Sequence, residues 1–213
     1  MTLDASTMAR ARLHPDESQR TFRVLVDALS QPGRLFRLPD AVLGRAPAAL
    51  VPLLAIADIE VAVAVTPDPD GWADVLTVTT GAPVSETCDA EWVAFLDAPT
   101  PQQLQALDPG SAYAPERGTR IVVAVGSLDA IDGRRDAEPA AAVVVLRGPG
   151  VPGSRVLAVG GVDADVFAAV AAINADFPAG IDTWLVTADG TIAGLPRSTT
   201  IDVLRTRAPE GAR

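Results

Sequence analysis

The sequence predicts an α/β fold, a sandwich of helices around a mixed sheet, and three observations carry that prediction. Segments with helical apolar spacing alternate with short β-branched runs along most of the chain. The last strands are separated by tight turns and are therefore antiparallel. The chain has 213 residues, of which 48% are hydrophobic, enough to bury one sizeable core. The division expected is an N-terminal arm over 1–15, a single domain over 16–204 and a flexible tail over 205–213.

The first helix starts from Asp16 as N-cap, places Phe22, Leu25, Val26 and Leu29 on one face, and stops at Pro32-Gly33. Arg34 to Leu38 alternates arginine with apolar residues, which predicts a short strand with Arg37 on the outer side. Pro47 to Ile56 reads as a buried helix and Val61 to Val65 as a core strand. The turn Pro67-Asp68-Pro69-Asp70-Gly71 leads into Trp72 to Val78, read as a strand ending in the turn at Thr79-Thr80-Gly81-Ala82-Pro83. Further strands are expected at Trp92 to Leu96, Arg120 to Val125, Ala141 to Leu146 and Arg155 to Val159, with a helix from near Thr100 between the first two. Asp129 to Pro139 reads as a flexible loop. Asp163 caps a helix to Ala175 whose apolar stripe is Val166, Phe167, Val170 and Ile173. Strands Thr183 to Val186, Ile192 to Leu195 and Thr200 to Leu204 close the domain, the first two joined by Ala188-Asp189-Gly190.

Composition excludes several functions. All seventeen basic side chains are arginine, so no lysine can form a Schiff base or clamp phosphate in a P-loop. His14 is the single histidine and Cys88 the single cysteine, which rules out zinc sites built from these ligands and an internal disulfide. The net charge of -10 argues against nucleic acid and anionic membranes as partners. It is uneven: residues 1–45 hold seven arginines and five acids, +2, leaving -12 for the rest. No apolar run reaches the roughly 18 to 20 residues of a membrane span, and the expected compartment is the cytoplasm.

Few segments offer chemistry. Gly148-Pro149-Gly150-Val151-Pro152-Gly153 satisfies G-x-G-x-x-G, but two prolines remove N–H donors and a strand follows where a dinucleotide site needs a helix. A rigid turn is the reading favoured, with Arg147 and Arg155 beside it. Arg197, Ser198, Thr199 and Thr200 place one guanidinium beside three hydroxyls, a set able to hold phosphate or carboxylate oxygens. Glu116 and Asp182 are the alternative acid–base groups, should the chain be an autonomous enzyme on a phosphorylated small molecule; a non-catalytic scaffold or binding protein is the other alternative. Asp68 and Asp70 form an ordinary turn rather than a calcium loop, Cys88 is inert, and Trp72, Trp92 and Trp184 are core or interface anchors.

The chain resembles the PhnH family, a component of the bacterial carbon-phosphorus lyase system. The resemblance runs from about His14 to Val203 through Ser18-Gln19-Arg20-Thr21-Phe22-Arg23, Asp27 to Gly33, Thr80-Gly81-Ala82-Pro83, Ala114-Pro115-Glu116, Leu146 to Val151, Phe177-Pro178-Ala179-Gly180-Ile181-Asp182 and Leu195 to Thr200. It implies a three-layer α/β sandwich similar to pyridoxal-phosphate-dependent transferases but without the cofactor or its lysine. It further implies a homodimer when isolated and assembly with the carbon-phosphorus lyase subunits G, I and J. With the system's ATPase-like L component, the G-H-I group is associated with exchanging the base of a purine nucleoside triphosphate for a phosphonate. The product is a ribose 1-phosphonate 5-triphosphate, which the iron-sulfur J component cleaves by radical chemistry. The ligand contacts expected of this chain are Arg197, Ser198, Thr199, Thr200, Gly148 and Gly150, with no metal. Thr79 stands where relatives often carry histidine.

Overall fold

The computed structural model describes residues 5–131 and 142–204. The tail at 205–213, Ala141 and most of the loop expected at Asp129 to Pro139 lie outside the described residues. The helices are α1 (Ala5–Ala11), α2 (Pro15–Ser30), α3 (Val51–Ile56), α4 (Trp72–Thr80), α5 (Pro101–Gln105) and α6 (Ala164–Ile173). The strands are β1 (Phe36–Arg37), β2 (Val63–Thr66), β3 (Trp92–Phe95), β4 (Arg120–Val125), β5 (Ser127–Ala130), β6 (Ala142–Arg147), β7 (Arg155–Gly160), β8 (Asp182–Thr187), β9 (Thr191–Leu195) and β10 (Thr200–Leu204).

The α/β class and the mixed sheet stand, but the strands divide into two sheets rather than one. The first has order β1-β9-β8-β4-β3-β2, with β2, β3, β4 and β8 parallel and β8, β9 and β1 antiparallel. The second is wholly antiparallel, β10-β6-β7-β5. The chain changes sheet at Gly126, whose N–H donates to Gly160 O at 2.8 Å. A side chain on Gly160 would lie 2.4 Å from Ser127 Oγ, so glycine permits the close crossing. Strand β5, just beyond this point, is short and half polar, and its apolar pattern gave no signal of its own.

The parallel strands bury both faces, as a sheet covered on two sides requires. Val93, Phe95, Ile121 and Val123 pack with Val144, Leu146, Leu157 and Val159 of the second sheet and with Phe167 and Val170 of α6. Their neighbours Trp92, Ala94, Val122, Trp184 and Val186 pack instead with Leu25, Leu50, Leu53, Val75 and Leu76 from α2, α3, α4 and the turn before α3. Trp92 and Trp184 stack at 5.0 Å in this second core, so both are core anchors.

Two helices differ from expectation. Helix α2 is capped two residues earlier, by His14, with Pro15 in the first turn and the Glu17 carboxylate accepting the His14 N–H at 2.8 Å. Its buried face is Thr21, Leu25 and Ala28, while Phe22 and Val26 are about half exposed. Close approach sets that rotation. Gly194 of β9 lies beneath Ala28, where a β-carbon would stand 2.6 Å from the helix backbone, and Trp184 Nε1 donates to Leu25 O at 3.1 Å. Trp72 to Thr80 is a helix, not a strand. Asp68 accepts the N–H groups of Trp72 (2.6 Å) and Ala73 (2.9 Å), and the Thr79 and Thr80 hydroxyls bond back to Val75 and Leu76 carbonyls at 2.6 and 2.7 Å. The β-branched composition that suggests a strand is overridden by this capping and by burial of Val75 and Leu76. At the N-terminus, residues 5–11 form α1, which packs beside α4 and buries Ala11.

Candidate functional site

Three segments distant in sequence meet around a cleft of about 480 Å³. They are the β9–β10 connection, the β6–β7 turn and the end of α6, and the lining includes Pro149, Asn174, Phe177, Ser198, Thr199 and Thr200. Gly148 has φ +132°, and a β-carbon there would stand 2.9 Å from Ser198 O, so glycine lets the turn rest on the 198–199 backbone. The structure thus brings together the two segments expected to contact ligand. Gly150 has φ +78°, and a β-carbon there would stand 2.1 Å from Ser30 O at the end of α2, while Pro149 is the turn residue that lines the cleft.

Arg197 is engaged within the fold. Its Nε donates to both Asp182 oxygens at 3.3 and 3.2 Å, Nη2 donates to Asp182 Oδ2 at 2.7 Å, and Nη1 donates to Pro115 O at 2.5 Å. Asp182 also accepts the Arg197 N–H at 2.9 Å. The guanidinium therefore ties the β9–β10 connection to the start of β8 and to the 3-10 turn Pro115–Arg117. Gripping a ligand oxyanion through Nε or Nη2 would require part of this network to open. Arg147 pairs with Asp202, and Arg155 donates to Pro32 O and to Gln31 O, the latter at 3.3 Å. The G-x-G-x-x-G segment connects the antiparallel strands β6 and β7, the strand–strand turn expected of it.

The hydroxyls differ in their freedom. Thr199 is 4% exposed, and its Oγ1 finds no hydrogen-bond partner among the described residues although its N–H donates to Pro196 O at 2.8 Å. Ser198 is half-buried and Thr200 exposed at the rim. Asn174, missed in the sequence, supports the site. Its Oδ1 accepts Ile181 N–H at 2.7 Å and its Nδ2 donates to Ile181 O at 3.2 Å, fixing the Phe177–Ile181 segment. A polar residue ending an otherwise apolar helix was the available signal.

Glu116 lies elsewhere, in an acidic cleft of about 500 Å³ at the amino ends of β3 and β4, with Asp89, Glu91, Asp108, Arg117 and the exposed Cys88. Among the described residues, no group of three or more His, Cys, Asp or Glu is placed to hold a metal ion. A third cleft, about 380 Å³, opens at the carboxyl ends of β3, β4 and β8 and is walled by Ala46, Pro47, Ala48, Leu96, Ala124 and Thr187. Beside it, the Asp189 carboxyl has its pKa lowered to about 2 by hydrogen bonds from Thr187 and Thr191, with Arg37 adding to the effect. No described helix is long and apolar enough to cross a membrane.

Comparison with known proteins adds to this geometry. The family model described as bacterial phosphonate metabolism protein (PhnH) matches residues 12–202. A Rhizobium meliloti (strain 1021) protein, alpha-D-ribose 1-methylphosphonate 5-triphosphate synthase subunit PhnH, is 33% identical over 195 residues, covering 87% of this chain and 90% of that one.

Proposed function

The chain belongs to the PhnH family of bacterial phosphonate metabolism, and on that premise we propose that it works as a non-autonomous subunit of the carbon-phosphorus lyase core. In this reading it assembles with subunits G, I and J in the cytoplasm, forms a homodimer when isolated, and supports formation of α-D-ribose 1-methylphosphonate 5-triphosphate from a purine nucleoside triphosphate and methylphosphonate. The observation that carries a subunit role over an independent enzyme is the separation of its reactive groups. Asp182 is committed to Arg197, Glu116 faces a different cleft, and the hydroxyl-lined cleft has neither acid nor base among its lining residues. General acid–base work needs such a group within hydrogen-bond reach of the reacting atom.

The likeness to pyridoxal-phosphate-dependent transferases belongs to the same proposal. Helices on one face of a mixed sheet and further structure on the other support it, and a chain without lysine has no Schiff-base anchor for that cofactor. The ligand role expected of Arg197, Ser198, Thr199, Thr200, Gly148 and Gly150 is proposed in a divided form. Hydroxyls face the ligand, while Arg197 and the glycines hold the walls that present them.

Co-expression with G, I and J tests the proposal. A stable co-purifying assembly is expected, together with loss of growth on methylphosphonate as sole phosphorus source when the gene is deleted. A chain that stays alone at physiological salt refutes it.

A further inference from the structure

The three constituents of a ribose 1-phosphonate 5-triphosphate differ in what they need from a protein. Phosphonate and triphosphate need charged donors, and the sugar needs hydroxyl partners with an apolar surface beneath its ring. The cleft beside Thr199 has only the second set.

Among the described residues, Arg197 is the one cation on its wall, and each of its three side-chain nitrogens already donates, to Asp182 and to the Pro115 and Gly118 carbonyls. Arg147 and Arg155 flank the neighbouring turn but do not line the cleft, and they pair with Asp202 and with the Pro32 carbonyl. No described carboxylate lines the cleft, so it offers no cation site either. What remains is Pro149, Ala171 and Ile201 as apolar wall, Phe177 as an aromatic ring 63% exposed, and the hydroxyls of Ser198, Thr199 and Thr200. The Thr199 hydroxyl is the most informative of these. Closed to solvent and unpartnered among the described residues, it carries a desolvation cost that is relieved when the side chain turns toward the cleft and meets a ligand hydroxyl, and that an apolar ligand would leave in place. The volume of about 480 Å³ lies within the roughly 300–1,000 Å³ range of small-ligand sites.

We infer that this cleft binds the uncharged sugar ring of a ribose-containing ligand, with Phe177 against the ring face and Thr199 hydrogen-bonded to a ring hydroxyl, the ligand's anionic groups lying outside. The inference rests on the functional reading above and narrows it to one portion of the ligand.

Amide shifts of the folded chain in nuclear magnetic resonance test it, with three probes titrated separately: methyl ribofuranoside, methylphosphonate and tripolyphosphate. The ribofuranoside is expected to shift the amides of Asn174, Phe177 and Ser198 to Thr200 saturably, in the millimolar range expected of a small neutral fragment, and the two anions are expected to leave them unmoved. Phe177→Ala and Thr199→Val should each weaken that binding about tenfold, equivalent to ~1.4 kcal/mol. The melting temperature of both variants is to be checked alongside, because a folded variant makes the loss interpretable. Anion-induced shifts at these amides, no ribofuranoside shift, or shifts insensitive to both substitutions would overturn the inference. Co-purification with G, I and J, measured on the same proteins, separates the two ideas: assembly without sugar binding sinks this one alone, and sugar binding without assembly sinks the subunit reading.

Discussion

Arg197→Ala distinguishes a structural guanidinium from a ligand-binding one. In the wild type the Arg197 and Asp182 side chains are only 12% and 18% exposed, so water solvates neither well. The substitution removes the contacts of Nε and Nη2 to Asp182 and of Nη1 to Pro115 O, and leaves the carboxylate with the N–H of residue 197 as its remaining donor among the described residues. Breaking a fully buried ion pair from one side costs ~3–5 kcal/mol, and the residual exposure here places the loss near the lower end, ~3 kcal/mol. For a chain of this size that corresponds to a fall in melting temperature of roughly 6–12 °C. Urea unfolding followed by tryptophan fluorescence measures it, because Trp92 and Trp184 are buried in the core. Asp182→Asn should cost ~2 kcal/mol, and the double variant should cost less than the sum because each partner is harmful mainly when left alone. A loss under ~1 kcal/mol for Arg197→Ala, with additive behaviour in the cycle, would refute the structural role and return the guanidinium to the ligand.

Thr199→Val should keep or raise stability, by up to ~1 kcal/mol, because it replaces an unpartnered buried hydroxyl with a methyl; chemical denaturation would show the sign. Thr21→Val and Thr183→Val should behave alike, since their hydroxyls are also buried without a partner among the described residues. Gly194→Ala should destabilise by ~2–3 kcal/mol or block folding, because the new methyl meets the Ala28 backbone rather than a movable side chain; soluble yield and unfolding midpoint report it. Acid should weaken the fold through Glu17. Its pKa is lowered by the hydrogen-bonded Arg45 guanidinium and by the His14 N–H, so its contribution is present above the unfolded value near 4.5 and is lost as pH falls through the lower folded value. Arg45→Met should flatten the stability profile over that acid window, and an unchanged profile would remove Glu17 as its source.

Much of the secondary structure was legible because it is written in local chemistry. Thr100 and Gln103 form the capping box that starts α5, and Asp189-Gly190 makes the turn between β8 and β9. Trp72 to Val78 reads as a strand because its β-branched residues satisfy a strand pattern as well as a helical one. The deciding atoms are the Asp68 carboxylate oxygens, four and five residues from their partners. Likewise, Phe22 and Val26 share a helical side with Leu25, yet the core accepts the narrower face of Thr21, Leu25 and Ala28. Only the approach of Gly194 and Trp184 selects between these overlapping stripes.

Taken alone, the sequence determined the class of fold, the family, and the chemistries the chain lacks, since absent lysine and single histidine and cysteine are facts of composition. It also marked Arg197 to Thr200 and Gly148 to Gly150 as segments of interest. Tertiary structure alone decided that the strands form two sheets, that these two segments share one cleft, and that Arg197 faces Asp182 while the Thr199 hydroxyl is left without a partner among the described residues. The physical reason is separation. A turn or a cap is set by atoms within a few residues, whereas the partner of a guanidinium 15 and 82 residues from its acceptors is settled only when the chain between them has packed.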